Sequence, residues 1–581
     1  NVDAYLDFTD GTDMATVGNG WNPVVIYGDK STGLFVNTSG TTVKGYFAAD
    51  IGSAGQGNKV FNGTGGLANY DINRTDDANA GISEDLSNPS LTADDKAKIE
   101  ENNLITKSTG IYTVAPINLT KHQIRIYDKT KGNVGIYPDG EVAVTLGTGD
   151  ILLEGGTNNT GIAVKVKGSS VTSDGTVTLS KGNANMAIYT DGLSDSGKTT
   201  QVTVKNVDTS NQTENSVGVY AKDASAVDVK EKFVINSKVT STKETAIASK
   251  AGGGLDKSTE NAGGVYAAGA DTKVSLASDI AAVSPAPASE LVNIKITGAE
   301  IVDSKGAGTG EYAGFGLFAE NGAKITTAGT SLATDGPKIE VEGGSVALAS
   351  VGANSEVTVD KGTVTYDGKG YALYSKNNGK VNLTDGKLVL KGEATGFSVD
   401  ASVPASSQPI KLTGSKVDMQ SDNAILMSIK NAANLSTTGI AATLLGYSGL
   451  NPSDVSTSTG NNYYKLAVLD GAKINIDGAG IDKSDSTAGS DSEVFTRRLL
   501  IQNSILNVDS KVLAQLNTTQ ITDIDSNLAI PVGLAVSASG NSQNISTTGV
   551  NVANGATITV DRTDSGNGGV GAYVNYGTIS N

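Results

Sequence analysis

The sequence predicts an all-β protein: an elongated, right-handed parallel β-helix with coils of about 25 residues, inserted loops and one short helical insertion. Three observations predict this fold. Glycine accounts for 72 of the 581 residues, well above its usual share of about 7%. A phrase of a small residue, an aliphatic residue and then an aromatic residue or alanine recurs along the chain. Short apolar–polar alternations that end in turn residues lie between its occurrences, as is typical of strands.

The recurring phrase has a measurable period. Its central residues lie 25, 26, 26 and 31 positions apart in a first series, and 31, 25, 24 and 28 apart in a second. The register blurs between the two series, around Ile247 and Val265. The first series is Ile111, Ile136, Ile162, Ile188 and Val219, and the second is Leu317, Leu348, Leu373, Phe397 and Ile425. A period of this length predicts a repeat architecture rather than a row of independent globular domains.

Residues 371–392 show what one repeat contains. Three short alternating segments are separated by turns at residues 377–379 and 384–386. Each unit is too thin to bury its own apolar face, so successive units are expected to stack one strand spacing apart. Stacking places Val, Ile and Leu in continuous interior columns, while Gly, Asn and Asp supply positive φ angles at the corners.

Changes in the repeat divide the chain into three predicted parts. Residues 1–108 form an N-terminal part with a cap and the helical insertion, and residues 109–430 form the regular β-helix. Residues 431–581 continue as a less regular β-helix with loop insertions, truncated at the C-terminus.

The insertions are predicted from local composition. A short helix is expected within residues 71–108, where Thr92 is a candidate N-cap and Asp95 lies three positions later. Residues 278–290 and 446–464 combine Pro with Ser, Gly or Asn, so they are expected to protrude as loops.

Composition argues against several classes of chemistry. The chain has no Cys and a single His, His122, which we expect on a strand surface. Disulfides, thiolate nucleophiles and Cys-ligated zinc are therefore excluded, and a His-based mechanism is disfavoured. The formal net charge of −17 disfavours nucleic acid as a partner. No apolar run approaches the roughly 18 to 20 residues of a membrane span.

Two glycine-rich motifs match nucleotide-binding patterns without the required context. Residues 192–199 fit a phosphate loop, but TTQVTVKN follows, which predicts a strand where a helix is needed. Gly566, Gly568 and Gly571 fit the dinucleotide pattern but open no helical periodicity. Both motifs are interpreted as corners of the repeat, so we expect neither a nucleotide nor another cofactor.

Carboxylates offer the most serious enzymatic alternative, since paired Asp or Glu residues cleave glycosidic bonds. Asp360, Asp367 and Asp385, however, occupy positions where turns favour Asp. Two acidic groups are weak cation candidates: Asp7, Asp10 and Asp13, and the pair Asp523 and Asp525. Solvated acidic loops are the preferred interpretation of both, so no metal site is predicted.

Candidate binding residues come from the insertions. Tyr447, Tyr463 and Tyr464 belong to the predicted 446–464 loop, and tyrosine stacks on sugars or anchors protein partners. Arg497 and Arg498 end a Ser- and Asp-rich stretch and can pair with carboxylates. The alternatives left open are packing at a loop base for the tyrosines and a solvated loop for the arginines.

The Gly–aliphatic–Tyr phrase, the corner NNGKVNLTDGKL and the terminal VGAYVNYGTISN, together with the lack of Cys, resemble passenger domains of type V autotransporter adhesins. The resemblance is strongest to the large fusobacterial outer-membrane adhesins and covers most of residues 109–430 and 550–581. It implies a removed signal peptide, a missing C-terminal β-barrel translocator and display on the outer surface of a bacterium. It brings no binding residue, because no ligand motif is recognisable.

Together these features predict a non-enzymatic, monomeric adhesin that binds a glycan or protein receptor on host or bacterial cells through loops on a rod. Two other functions stay open. One is a β-helical polysaccharide hydrolase or lyase that uses Asp or Glu. The other is a spacer segment whose ligand sites lie elsewhere in a larger adhesin.

Overall fold

The structure is a computed structural model of the 581-residue chain. Beyond Ala424 it describes the backbone of strands and not their side chains. The residues described are 2–6, 24–26, 30–36, 41–52, 61–62, 66–67, 105–128, 130–192, 198–209, 211–240, 262–278, 291–302, 305, 308–327, 336–400, 409–421, 424–430, 435–438, 455–457, 464–469, 473–477, 493–502, 505–508, 511–516, 532–537, 549–552, 558–562, 570–575 and 578–580.

The chain divides into two compact units, which are described separately. Unit 1 comprises residues 1–249 and 255–282, and unit 2 comprises residues 250–254 and 283–581. All the regular secondary structure in the described ranges is β-strand, and none of it is helical. The helix predicted within residues 71–108 lies outside them, except for residues 105–108, which include a two-residue strand.

The described residues of unit 1 form 21 strands, most of them paired in parallel. They are β1 (Val2–Leu6), β2 (Val24–Ile26), β3 (Thr32–Val36), β4 (Thr41–Ile51), β5 (Phe61–Asn62), β6 (Gly66–Leu67), β7 (Ile105–Thr106), β8 (Thr109–Thr113), β9 (Ile117–Ile126), β10 (Thr130–Lys131), β11 (Val134–Pro138), β12 (Ala143–Leu153), β13 (Thr160–Val164), β14 (Ser170–Leu179), β15 (Met186–Asp191), β16 (Thr200–Thr209), β17 (Thr213–Glu214), β18 (Val217–Lys222), β19 (Ser225–Lys238), β20 (Gly263–Ala268) and β21 (Lys273–Leu276).

The recurring phrase of unit 1 forms one parallel ladder of short strands. Strands β3, β8, β11, β13, β15, β18 and β20 pair in that order, each with the next. Their central aliphatic residues stand in register and form a column, which is buried from Ile111 onward and half-buried at Leu34. The column runs through Leu34, Ile111, Ile136, Ile162, Ile188, Val219 and Val265. The first predicted series is thereby confirmed, and it continues without a break to Val265.

Longer strands form a second parallel ladder in unit 1. Strands β4, β9, β12, β14, β16, β19 and β21 pair in succession, several with a register shift midway along the strand. In β14 and β16 buried side chains mostly alternate with accessible ones, so each strand turns its aliphatic residues to one face. Successive side chains of a pleated strand point to opposite faces, so the buried aliphatic residues share one face and form the core.

A buried polar column accompanies the aliphatic column. In each member the side chain accepts a hydrogen bond from the backbone N–H of the preceding member, as Asn159 Oδ1 does from Asn133 N at 2.9 Å. The same contact links Asn185 to Asn159 at 2.9 Å. The column consists of Ser108, Asn133, Asn159, Asn185, Ser216 and Ser237. These contacts satisfy buried backbone donors at a corner where the chain leaves its sheet.

Where unit 2 is described, it has 28 strands. They are β22 (Val292–Thr297), β23 (Ala299–Val302), β24 (Gly308–Ala313), β25 (Phe315–Glu320), β26 (Lys324–Thr327), β27 (Lys338–Glu342), β28 (Val346–Val351), β29 (Glu356–Asp360), β30 (Thr363–Asp367), β31 (Gly370–Lys376), β32 (Lys380–Thr384), β33 (Lys387–Lys391), β34 (Ala394–Asp400), β35 (Ile410–Lys411), β36 (Lys416–Met419), β37 (Ile425–Lys430), β38 (Leu435–Thr438), β39 (Val455–Thr457), β40 (Tyr464–Leu469), β41 (Lys473–Asp477), β42 (Glu493–Gln502), β43 (Ile505–Val508), β44 (Lys511–Leu516), β45 (Val532–Ser537), β46 (Gly549–Val552), β47 (Ile558–Arg562), β48 (Val570–Asn575) and β49 (Thr578–Ser580).

The second predicted series also forms a parallel ladder, with one correction. Leu317, Leu348, Leu373 and Phe397 stand in register, but Phe397 pairs with Met427 and not with Ile425. Ile425 pairs with Thr395, two positions earlier on the same strand. An error of two residues preserves the face of the strand, because side chains alternate with a period of two. The ladder continues through Leu466, Leu499, Leu534 and Ala572.

Corners take the residue types that the sequence indicated. Asn378, which precedes β32, has a φ of 65°, and Asp385, which follows β32, has a φ of 48°. Asn and Asp tolerate this left-handed region better than most residues, which confirms the turn interpretation of Asp385. Of the predicted loops, residues 279–290 lie outside the described ranges, and residues 446–464 contain a short strand, β39.

Candidate functional site

The outward side of the short-strand ladder in unit 1 carries a row of aromatic rings. Each ring follows a residue of the aliphatic column, so it lies on the opposite face of its strand. Phe35 is 56% exposed, and the side chains of Tyr112, Tyr137, Tyr189 and Tyr220 are half-buried. We call this row, which consists of Phe35, Tyr112, Tyr137, Tyr189, Tyr220 and Tyr266, the tyrosine face.

Neighbouring rings of the tyrosine face stack. The centroids are 5.3 Å apart for Phe35 and Tyr112, 5.8 Å for Tyr112 and Tyr137, and 5.4 Å for Tyr189 and Tyr220. Tyr266 lies 4.7 Å from Tyr220 in a tilted arrangement. Pairs at these distances stabilise one another beyond their burial. The rings are therefore held in place before any ligand arrives.

The row is interrupted at one strand. Ala163 takes the ring position on β13, because Ile162 is in register with Ile136 and Ala163 itself pairs with Tyr189. Ala163 is nevertheless buried, with 3% of its surface exposed, so the place of the missing ring is not open to solvent. Lys165, two residues further along the chain, is exposed and places its Nζ 5.1 Å from the centroid of the Tyr189 ring.

Carboxylates hold the phenol groups of this face. The Tyr112 hydroxyl donates a hydrogen bond to Asp139, which raises the pKa of Tyr112 to about 12. The Tyr189 hydroxyl donates to Asp191 at 3.3 Å, and burial together with Asp191 raises the pKa of Tyr189 well above its ordinary value. Asp191 also pairs with Lys222 at 2.8 Å. The phenols of Tyr112 and Tyr189 therefore stay protonated at neutral pH and keep their hydroxyl groups.

A second group of interest lies on the long-strand ladder. Asp50 and Arg125 face each other on β4 and β9, and Arg125 Nη1 donates to the Tyr127 hydroxyl at 3.2 Å. Burial raises the pKa of Asp50 to about 6, and Glu154 acts in the same direction, while Arg125 and Tyr127 oppose the shift. This carboxyl group is thus partly protonated near neutral pH, as a general acid requires.

His122 is not on the surface, so that prediction is wrong. It lies on β9 with 1% of its surface exposed, and among the residues that the structure describes neither ring nitrogen has a hydrogen-bond partner. Burial lowers the pKa of His122 to about 4, although the nearby Gly147 backbone favours the charged form. Space for the ring comes from glycines on later strands: a Cβ on Gly175 would lie 3.1 Å from His122 Cε1.

The predicted binding residues fall in unit 2. Tyr447 and Tyr463 lie outside the described residues. Tyr464 begins β40, and Arg497 and Arg498 lie within β42, which pairs with β40. The backbone therefore places these three residues on adjacent strands: Tyr464 is in register with Thr496, and Arg498 with Lys465. The expected loop around the arginines is a strand in the structure.

Some of the remaining motifs lie in the described residues, and others lie outside them. Strand β16 begins at Thr200, so a strand follows the phosphate-loop match, as predicted. Asp7, Asp10, Asp13, Asp523 and Asp525 lie outside the described ranges. Where side chains are described, no group of three or more His, Asp or Glu residues could hold a metal ion. Among the described residues there is also no helix that could span a membrane.

Comparison with known proteins gives no relative. The chain matches no family model, no curated protein sequence and no solved structure. Function must therefore be argued from the residues and their arrangement.

The sequence contained a signal for the tyrosine face that the loop-centred prediction did not use. Tyr112, Tyr137, Tyr189 and Tyr220 are the third residues of the same phrase that defines the repeat. The polar column was also visible, because Asn133, Asn159 and Asn185 each precede a ladder isoleucine by three positions.

Proposed function

We propose that this chain is a non-enzymatic adhesin, the passenger of a type V autotransporter, displayed on the bacterial outer membrane and acting as a monomer. Its parallel ladders are proposed to be the faces of a right-handed β-helix. Its ligand is a glycan or protein receptor on host or bacterial cells, bound along the tyrosine face. Tyr447, Tyr463, Tyr464, Arg497 and Arg498 stay in the proposal as a second contact region.

The observation that carries this proposal is the tyrosine face. It presents stacked, half-buried phenols, and the hydroxyls of Tyr112 and Tyr189 are held by Asp139 and Asp191. Tyrosine is enriched in recognition surfaces because it offers a large amphipathic contact and loses little conformational entropy on binding. Rings fixed by stacking lose still less of it. A repeated row of such rings suits an extended or repetitive ligand, such as a surface polysaccharide.

The test measures attachment of the whole chain to cells. The purified protein, coupled to beads, is compared with a variant carrying Ser in place of Tyr112, Tyr137 and Tyr189. We expect at least a tenfold loss of bound cells, because three ring contacts of about 1 kcal/mol or more each disappear.

A matched control places three substitutions on the other ladder. Asn118, Thr145 and Thr172 are exposed on the successive strands β9, β12 and β14, and each is replaced by Ala. Attachment of this control should equal that of the wild type. Unchanged attachment by the tyrosine variant, with strand content preserved in circular dichroism, would refute the role of the tyrosine face.

The loop region is tested separately. A chain that lacks residues 446–464 and carries Arg497→Ala and Arg498→Ala should lose attachment if the loops also bind. Complete attachment by this variant would confine the site to unit 1. A chain that never attaches to any cell would support the spacer function instead.

One observation favours a polysaccharide hydrolase or lyase as the second candidate. Asp50 has a pKa of about 6 and lies beside Arg125, with Glu154 near enough to influence it. Such a carboxyl group can protonate a glycosidic oxygen. New reducing ends or unsaturated products from a panel of acidic polysaccharides, lost in Asp50→Asn, would support this function. Intact polysaccharides after prolonged incubation would exclude it for that panel.

A further inference from the structure

The strands at the N-terminal end of unit 1 are held through one strand pair. Within the described residues, β1 and β2 pair only with β4, and β4 pairs in turn with β9. We call β1, β2 and β4 the N-terminal strands. Each strand of a repeat array is stabilised by its neighbours, so an array opens most easily at an end. The β4–β9 pair therefore decides whether the N-terminal strands stay attached.

Two ionisable groups lie on this strand pair, three positions apart. Phe47 of β4 is in register with His122, and Asp50 of β4 is in register with Arg125. The two groups lie on opposite faces of the sheet. His122 is enclosed among the core residues with 1% of its surface exposed, and Asp50 is half-buried on the outward face.

His122 suits an attached β4 only while its ring is neutral. Neither ring nitrogen has a hydrogen-bond partner within the described part of the chain. Charged and titratable groups of the surrounding strands lie on outward faces, because buried residues alternate with them. Besides Asp50, they are Lys44 on β4, Lys121 and Arg125 on β9, Tyr137 on β11, Asp150 on β12 and Asp174 on β14. Burial without a counter-charge lowers the pKa of His122 to about 4, although the Gly147 backbone acts in the opposite direction.

Asp50 responds to acid in the opposite way. Burial raises its pKa to about 6; Arg125 opposes this shift, the carboxylate of Glu154 adds to it, and the Tyr127 hydroxyl opposes it. Strand β2, which also pairs with β4 beside Asp50, carries no titratable residue. A protonated Asp50 is therefore better accommodated in the attached strand than an ionised one.

The two responses are of similar size. Between pH 7 and pH 4, protonation of His122 favours release of β4 by about a hundredfold, since its pKa returns from about 4 to 6.5 on release. Over the same range, protonation of Asp50 favours attachment by about fiftyfold, since its pKa returns from about 6 to 3.8 on release. Either group alone would make attachment depend strongly on pH.

From this arrangement we propose that Asp50 and His122 are a counterbalanced pair that keeps the N-terminal strands attached to β9 as the pH falls. Strand β3 lies between β2 and β4 in the chain, and its Phe35 stacks on Tyr112 at 5.3 Å. The pair therefore also supports the first ring of the tyrosine face. It acts whatever ligand the chain binds.

Three equivalent backbone amides report which strand pair opens. The N–H of Tyr127, the residue after β9, donates to the Ile51 carbonyl of β4 at 3.0 Å. The N–H groups of Glu154, after β12, and Ser180, after β14, make the equivalent bonds to β9 and β12, each at 2.8 Å. Exchange at Tyr127 thus reports release of β4, and exchange at Ser180 reports opening further along the ladder.

The experiment measures hydrogen exchange of the full chain at pH 7 and pH 4, corrected for intrinsic exchange. In Asp50→Asn, protection of the Tyr127 amide should fall about a hundredfold at the lower pH, because His122 is no longer opposed. In His122→Leu, the same protection should rise about fiftyfold. The wild type and the double variant should each change by no more than about threefold, and Ser180 should not respond in any of the four chains.

Two further variants are controls. His122→Phe is a second neutral replacement and should behave as His122→Leu does, and Asp150→Asn, on the exposed face of β12, should keep the pH profile of the wild type. Equal pH profiles of the wild type and Asp50→Asn, or of the wild type and both His122 variants, would overturn the proposal. A hundredfold loss in the wild type would also overturn it, because Asp50 would then not offset His122. So would a loss in Asp50→Asn that is as large at Ser180 as at Tyr127, since opening would then not be confined to the N-terminal strands.

Discussion

The polar column gives a sharp test of what holds unit 1 together. Asn159 accepts hydrogen bonds from the backbone N–H of Asn133 at 2.9 Å and from its side-chain amide at 3.3 Å. Its own amide donates to Thr130 Oγ1 at 2.9 Å and to the Gly155 carbonyl at 3.3 Å. The residue is fully buried. We predict that Asn159→Ala is strongly destabilising and that Asn159→Ser is mild.

The magnitude follows from the partners left behind. Alanine leaves the Asn133 N–H without its acceptor, and a buried group left unsatisfied costs about 1–3 kcal/mol. The Thr130 hydroxyl still donates to the Tyr127 carbonyl, so losing the bond from Asn159 adds only about 1 kcal/mol. We therefore expect a loss of about 3 kcal/mol. Serine keeps an acceptor at this position, because Ser108 and Ser216 accept the equivalent bond at 3.2 Å elsewhere in the column. Its expected cost is about 1 kcal/mol.

The assay is amide hydrogen exchange of the full chain, since repeat proteins need not unfold in one step. If opening of the Asn133 amide follows the lost stability, its protection against exchange should fall about a hundredfold in Asn159→Ala. In Asn159→Ser it should fall by about tenfold or less. Urea unfolding monitored by circular dichroism gives a second measurement. Equal protection in the Ala and Ser variants would refute the reasoning, because the side-chain acceptor would then contribute nothing.

Three further predictions concern charge and space. The pKa of His122 falls from 6.5 to about 4 on folding. The stability that depends on its neutral ring is therefore fully present above pH 6.5, and up to about 3 kcal/mol is lost as the pH falls through 4. In urea titrations, the free energy of unfolding of His122→Leu should fall less at low pH than that of the wild type. An unchanged pH dependence would contradict this prediction. The pKa of Asp50 rises from 3.8 to about 6 on folding, so the stability that depends on its protonated form is lost as the pH rises through 6. Asp50→Asn should therefore raise the free energy of unfolding by about 2 kcal/mol at pH 7 but not at pH 3. A Cβ on Gly149 would lie 1.8 Å from the His122 carbonyl oxygen, whereas Gly132 has nothing within 4 Å. Gly149→Ala should lower the thermal midpoint by the equivalent of about 3 kcal/mol or more, and Gly132→Ala by about 1 kcal/mol; equal shifts would contradict this packing.

Much of the fold could be predicted because it follows from short-range alternation. A strand that alternates apolar and polar residues has one buried face, and a fixed spacing brings equivalent residues into register. Ile111, Ile136 and Ile162 were identified in this way, and the structure stacks them. Ile425 was assigned in place of Met427 because both residues lie on the same face of one strand.

The candidate site was harder to predict, because it depends on neighbours that are distant in sequence. The tyrosines of the repeating phrase are evident in the sequence, yet only the register shows that Ala163 interrupts the row of their rings. The irregular segment at residues 446–464 instead predicts Tyr447 and Tyr463 as binding residues, because insertions often carry function.

The amino-acid sequence by itself determined the strand period, the buried aliphatic column and the positive-φ corners, because each is encoded within one repeat of about 25 residues. The tertiary structure alone decided the burial of His122, the perturbed carboxyl group of Asp50 and the stacking of the rings along the tyrosine face. Each of these depends on which side chains of other strands lie one or two strand spacings away, and local alternation carries no information about those contacts.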